Sequence, residues 1–228
     1  MKTSKKDIII YFHGNSGSRA GEHRKELYLL LQNQDYHVVC FDYRGYADST
    51  ECAPTETGTV TDGLVSSHVV ANLSKEGNPP TGLILEAPFT NLGEEVSCHM
   101  LTAIYRILPY FDYIFTYPLK KNDMEFQSDR HIAHITIPIV ILHAIDDPVI
   151  PFFLAKKLFK IGHETRPKSA KPIYFKDFGE GYAHKYICRS PDLSDIVNDF
   201  VRSAKTDSWP CQMLEDSSSA LIDELNLH

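Results

Sequence analysis

Residues 7–18, DIIIYFHGNSGS, hold an unbroken apolar run, Ile8 to Phe12, that stops abruptly at His13-Gly14-Asn15. β-Branched and aromatic residues in so short a run, closed by glycine, describe a strand buried on both faces, because parallel strands under helices have no polar side. A central strand is expected here. Residues 17–32 follow, with Leu27, Leu30 and Leu31 at i, i+3, i+4 and Glu22, Arg24, Lys25 and Gln32 on other sides, the pattern of an amphipathic helix. Strand, glycine loop and helix form a βα unit. The N–H groups of such a loop and first helical turn can hold an anion or a developing oxyanion. The plain alternative is a tight turn that needs glycine and nothing more.

The alternation continues. Residues 37–43, HVVCFDY, read as a second buried strand, and residues 55–75 as a helix ended by Gly77-Asn78-Pro79-Pro80. Residues 82–86 are a third strand. A fourth, 139–143, delivers Asp146-Asp147-Pro148 at its end and is followed by a helix over 152–161. Residues 172–175 make a fifth, before the glycine-rich loop 179–184 and a last helix with Ser190 as N-cap, Pro191 at N1 and Leu193, Ile196, Val197, Phe200 and Val201 on one face. Strands alternating with helices imply a mostly parallel sheet with helices on both faces, an α/β class in which active groups collect at the C-terminal ends of strands.

Residues 89–137 form an insertion. Leu101, Ile104, Tyr105 and Leu108 have helical spacing, and the aromatics from Tyr110 to Tyr117 are too dense for an ordinary surface loop. The segment is either a cap over an apolar pocket or core packing of a lid subdomain. Residues 1–202 suit one domain, and 203–228, Ser-rich and acidic, read as a poorly ordered tail.

A net charge of −7 and a pI near 5.9 leave no basic field for nucleic acid. No apolar stretch approaches the roughly 18 to 20 residues that span a bilayer, and residues 1–6 lack a signal-peptide core, so the chain as written reads as soluble. Cys40, Cys52, Cys98, Cys188 and Cys211 are unclustered, which favours reduced thiols over a metal site or disulfide framework. Neither a metal nor a cofactor is expected.

Three strand ends carry chemistry: His13-Gly14-Asn15 after the first, Asp146-Asp147 after the fourth, and His184 after the fifth. An oxyanion loop, then an acid, then a histidine in the last loop is the order of an α/β hydrolase. The segments IIIYFHGNSG, GEHRKELY, HVVCFDYRGYADST, LILEAPFTN, ILHAIDDPVIPF and GYAHKYICRSPDL closely resemble the metazoan α/β-hydrolase-domain lysophosphatidylserine lipases, also described as monoacylglycerol lipases. The resemblance runs over residues 7–201. It implies an α/β-hydrolase fold in which Asp147 is the triad acid, His184 the base, and the N–H of Asn15, beside Gly14, an oxyanion donor. The acid would fix the imidazole tautomer while His184 moves the proton between nucleophile and leaving alkoxide. Asp146 is the neighbour most easily confused with Asp147. Glu86 stands where some α/β hydrolases carry their acid, but a structural role is expected for it because the Asp147 motif is complete.

One part is missing. The family pattern requires a nucleophile elbow, G-x-S-x-G, between the HVVCFDY and LILEAP strands, and none occurs in the 228 residues. Gly14-Asn15-Ser16-Gly17 belongs to the oxyanion loop, and Ser66-Ser67 lies inside a helix candidate without flanking glycines. The 38 residues between Tyr43 and Gly82 hold only a loop and one helix. Thr61-Asp62-Gly63-Leu64 resembles the start of the helix before the missing strand and Val69-Val70-Ala71-Asn72-Leu73 the helix after the elbow, as if roughly 20 residues between them were absent. A skipped exon, a splice form or an incomplete gene model would give this pattern.

The elbow strand is central in this fold, between the strands ending at Phe12 and Glu86. Its loss leaves a gap in the ladder or forces those strands together. The expectation is a serine-hydrolase-family chain of the lysophospholipid or monoacylglycerol type, impaired in catalysis and marginally stable; a non-catalytic lipid-binding or regulatory form is the alternative. A lysophospholipid or monoacylglycerol substrate class is implied, with no nucleic acid and with a membrane surface compatible. The resemblance also implies an N-terminal membrane helix and an endoplasmic reticulum membrane location, whereas the chain as written, starting almost at the oxyanion strand, would be cytoplasmic.

Overall fold

The computed structural model describes residues 6–14, 17–51, 66–99, 102, 104–121 and 125–210. Asn15, Ser16, Leu101, the proposed junction at 61–64 and the tail from 211 onward lie outside the described residues.

The strands are all parallel but fall into two sheets. In the first, β1 (Ile8–Tyr11) pairs with β2 (His37–Cys40) from Ile8↔His37 to Tyr11↔Cys40, with α1 (Glu22–Asn33) as the crossover. The second has the order β3 (Leu83–Glu86), β4 (Ile139–Ala144), β5 (Ile173–Phe178), registered Leu83↔Ile139 and Ile139↔Ile173. Helix α2 (Ser66–Lys75) precedes β3. The insertion carries α3 (Leu92–Cys98), a π-helical turn (Asp112–Thr116), α4 (Tyr117–Lys121) and α5 (Ser128–Ile132). Helix α6 (Phe152–Thr165) links β4 to β5, and a 3-10 turn (Ile187–Arg189) leads to α7 (Leu193–Thr206).

The core is built around β4, whose six residues are all buried. Period-2 alternation splits them: Ile139 and Ile141 pack with Ile132, Leu158 and Phe159, while Val140, Leu142 and Ala144 pack with Leu31, Val197 and Phe200. Burying each aliphatic side chain this fully contributes about 1.5–3 kcal/mol.

The first sheet departs from the double burial expected of it. Ile9 and Val38 face the core, but Ile8 is 65% and Ile10 54% exposed, and Val39 is exposed beside them. Among the described residues no strand pairs with the outer edge of β1 or of β3. An apolar run encodes the capacity for burial; burial itself needs a neighbour. Polar contacts instead tie this sheet to α7: the Tyr36 hydroxyl donates to Asn198 at 2.8 Å, the Asn198 amide to Gln34 at 2.7 Å, and Lys205 to Asp7 at 2.9 Å.

Several boundaries also move. The second strand ends at Cys40, not Tyr43, leaving Asp42 and Tyr43 buried in a loop. Helix α1 begins at Glu22, because Gly17 (φ +73°) and the turn ending at Gly21 occupy the residues before it. The last helix begins at Leu193 with Asp192 at its N-cap, whereas Ser190 closes the preceding 3-10 turn. That helix runs to Thr206, past the boundary expected at 202, and Trp209 packs on Tyr174 with ring centroids 5.1 Å apart.

The helix expected through residues 101–108 falls partly outside the described residues; from Ile104 onward the chain makes tight turns, with the N–H groups of Tyr105, Leu108 and Phe111 bonded three residues back. Ile104, Tyr105 and Leu108 are exposed, and an apolar face without a packing partner does not sustain a short helix. A cavity of about 410 Å³ lies between α3, α4 and the start of α5. Its lining mixes polar and apolar surface and includes Asn91, Ser97, Asp112, Leu119, Lys120 and Glu125. No helix among the described residues is long and apolar enough to cross a membrane.

Candidate active site

Because the strands are parallel, the C-terminal ends of β3, β4 and β5 lie on one edge of the second sheet, and the loop after β1 occupies the matching end of the first. The turn leaving β4 places Asp147 with its carboxylate fully buried. Its Oδ1 accepts the N–H groups of Val149 (2.8 Å) and Ile150 (2.9 Å). Its Oδ2 faces two imidazoles: Nδ1 of His184 at 2.8 Å and Nε2 of His143 at 3.4 Å. Burial opposes the charge of Asp147, but hydrogen bonds from His143, His184 and the Ile150 N–H outweigh it and hold the carboxyl well below the usual carboxylate range.

An ionised carboxylate only accepts, so this contact places a proton on His184 Nδ1 and leaves Nε2 as the basic nitrogen. The His184 side chain is 30% exposed. His143, fully buried, directs Nε2–H toward both Asp147 and the Ile150 carbonyl, 3.0 Å away. It locks the turn that carries the acid.

Asp146, one residue earlier, turns the opposite way. Its carboxylate accepts the N–H groups of Gly181 (2.7 Å) and Ala183 (2.9 Å), which hold its pKa down and fix the backbone leading into His184. Ala183 sits at φ +46° and Gly181 at φ +104°, so this loop is bent through left-handed geometry before it presents the imidazole.

The loop after β1 is held from two sides. Arg24, buried in the first turn of α1, donates to the Ser18 carbonyl and approaches the Gly14 carbonyl at 3.5 Å. Asp42 accepts the Arg19 N–H (2.6 Å) and pairs with the Arg19 guanidinium, while its Oδ1 lies 3.0 Å from His13 Nε2. The Tyr43 hydroxyl donates to the His13 carbonyl at 2.8 Å. Burial lowers the pKa of His13. Gly14 is described and exposed at this loop, whereas Asn15 lies outside the described residues.

Glu86 ends β3 beside the same edge. The surrounding protein atoms, foremost, and the Asp147 charge raise its pKa against the pull of His184, Arg24 and His143, although the residue is solvent-exposed by surface area. Asp147 and His184 are thus brought together, 2.8 Å apart. No spacing in the sequence marks His143, Asp146, Arg24 and Asp42 as supports, because each reaches the site through contacts that only the fold creates. Among the described residues no serine hydroxyl hydrogen-bonds to His184.

Parallel strands with crossover helices, a carboxylate–imidazole pair at the strand ends and a glycine loop after β1 define an α/β hydrolase. The fold agrees with solved structures: the esterase Pf2001 of Pyrococcus furiosus (TM-score 0.60, 13% identity, 88% of this chain and 82% of that one) and Est1E of Butyrivibrio proteoclasticus with ferulic acid bound (TM-score 0.57, 13% identity, 90% of each). In sequence the chain is 40% identical to the lysophosphatidylserine lipase ABHD12 of Danio rerio over 223 aligned positions, covering 86% of this chain and 58% of that protein. It is 31% identical to protein ABHD12B of Homo sapiens, covering 85% of this chain and 60% of that protein. The chain is thus similar in sequence to a lysophosphatidylserine lipase and to protein ABHD12B, and it spans under two thirds of the length of these relatives. No protein-family model matches it.

Proposed function

We propose that this chain is a carboxylic-ester hydrolase of the lysophospholipid and monoacylglycerol type that lacks its nucleophile, and so turns over little or no ester. The observation that carries the proposal is the 2.8 Å contact between Asp147 and His184 in a sequence without G-x-S-x-G. His184 Nε2 would accept the proton of an attacking hydroxyl, with Asp147 stabilising the imidazolium and the Asn15 N–H receiving the oxyanion. No serine in a nucleophile elbow supplies that hydroxyl.

The alignment with the Danio rerio lipase supports an internal loss. It runs over 223 positions yet takes in 86% of 228 residues, about 196, so roughly 27 positions of the relative face no residue here. The interrupted sheet, with the outer edges of β1 and β3 unpaired among the described residues, is consistent with a strand absent between them.

Labelling with a fluorophosphonate probe, paired with hydrolysis assays on lysophosphatidylserine and monoacylglycerol, tests the proposal. The expected result is neither adduct nor turnover in this chain, and both once the elbow-bearing segment of the Danio rerio lipase is inserted between Leu64 and Val69. An adduct on Ser16, Ser66 or Ser67 of the unaltered chain would overturn the missing-nucleophile reading. A restored chain that folds and stays inert would overturn the hydrolase reading.

A further inference from the structure

The insertion presents an apolar surface to solvent. Ile104, Ile107, Tyr110, Tyr113, Ile114 and Tyr117 are all exposed, Ile107 by 87% and Tyr113 by 71%. Phe111 is buried and stacks on Phe115 with centroids 4.9 Å apart, so the segment has an inner face of its own and the outward residues are not displaced core. Successive tight turns run from Ile104 through Pro109 and Tyr110 and leave Ile107 exposed.

Charge accompanies this surface. Residues 104–121 carry Arg106, Lys120 and Lys121 against one acid of their own, Asp112, all exposed, in a chain whose net charge is −7, while Glu94, Glu125 and Asp129 line the cavity that Lys120 also borders. Among the described residues neither Lys120 nor Lys121 forms an ion pair. Protruding branched aliphatics, tyrosines with an apolar ring and a polar tip, and flanking lysines are the groups that partition into a bilayer interface and meet anionic headgroups. A second copy of the chain fits poorly, since a two-fold contact through this patch would set the same basic residues against one another while joining two acidic molecules.

We propose that residues 104–121 form an interfacial docking surface that seats the protein on an anionic lipid membrane, Ile107 and Ile114 entering the acyl boundary and Lys120 and Lys121 contacting headgroups. This goes beyond the hydrolase reading, because docking needs neither a nucleophile nor turnover.

Flotation of the purified full chain with vesicles of phosphatidylcholine alone, and of phosphatidylcholine with about 30% phosphatidylserine, tests it. The expected result is binding to the anionic vesicles that weakens with added salt. The double variant Ile107→Asp/Ile114→Asp should bind at least about tenfold more weakly with an unchanged melting curve, as both residues are exposed, and Lys120→Glu/Lys121→Glu should abolish the preference for phosphatidylserine. Ile10→Asp, on the exposed face of β1, should float like the parent. Absence of flotation, equal flotation of parent and patch variants, or equal loss in Ile10→Asp would overturn the proposal. So would a patch variant that dissolves a dimer in sedimentation velocity without altering flotation, which would assign the surface to a second copy.

Discussion

Asp147 Oδ2 lies 2.8 Å from Nδ1 of His184, two residues separated by 37 positions in sequence and brought together by parallel strands β4 and β5. Asp146 accepts two N–H groups from the loop on which that imidazole rides, so adjacent carboxylates divide the work of orienting the ring and holding its backbone.

This division predicts different phenotypes for neighbouring substitutions. Asp146→Ala should accelerate hydrogen exchange at the Gly181 and Ala183 amides while leaving the β4 amides protected. Asp147→Asn should leave the loop amides slow and change the environment of the His184 ring, read from its imidazole NMR signals. Uniform acceleration in both variants would refute the division.

Acid stability follows from Asp147. Its folded-state pKa is depressed, so the stability it contributes is fully present above the unfolded value near 4 and is lost as pH falls below that value toward the folded one. Asp147→Asn should flatten the fall in melting temperature below about pH 4 relative to the parent. Parallel curves would mean that other groups govern the acid limb.

The stacked pair His68–His131, centroids 3.8 Å apart on α2 and α5, acts in a higher window. Burial first, then the charges of His68, Lys75 and His134, lower the pKa of His131 to about 4 against the opposing pull of Asp129. A histidine depressed on folding contributes stability that is whole above its unfolded value near 6.5 and declines as pH falls toward 4. His131→Phe should remove a slope worth about 1–3 kcal/mol between pH 6.5 and 4, measured by urea unfolding.

Substitutions in the two sheets should have unequal costs. Ile141→Ala, at a fully buried position of β4, should cost about 2–5 kcal/mol, whereas Ile10→Thr, on the exposed face of β1, should cost about 0.5 kcal/mol or less. Hydrogen exchange should open β1 and β2 before β4, which is paired on both sides. Equal protection of the two sheets would contradict that order.

Gly181 tests the backbone directly. A Cβ there would meet nothing within 4 Å, yet φ is +104°, so Gly181→Ala should destabilise by about 1–2 kcal/mol through conformation alone. A neutral result in thermal unfolding would show that the loop relaxes to another geometry.

Local pattern carried much of this. Ile139–Ala144 reads as a buried strand because its own residues demand cover, and α7 because Leu193, Val197 and Phe200 recur at helical spacing. Residues 104–108 misled for the complementary reason: their spacing suits a helix, but Ile104, Tyr105 and Leu108 are exposed and have no surface to pack against.

The amino-acid order by itself determined the succession of strands and helices, the placement of His13-Gly14, Asp147 and His184 at strand ends, and the lack of an elbow serine, since each depends on residue type and nearby spacing. Only the tertiary structure decided which of two adjacent aspartates faces the imidazole, that His143 and Arg24 brace the site, and that Ile8 and Ile10 lie open to solvent. Those outcomes depend on distant segments meeting in space: a side chain's partner and its burial belong to the neighbours the fold supplies.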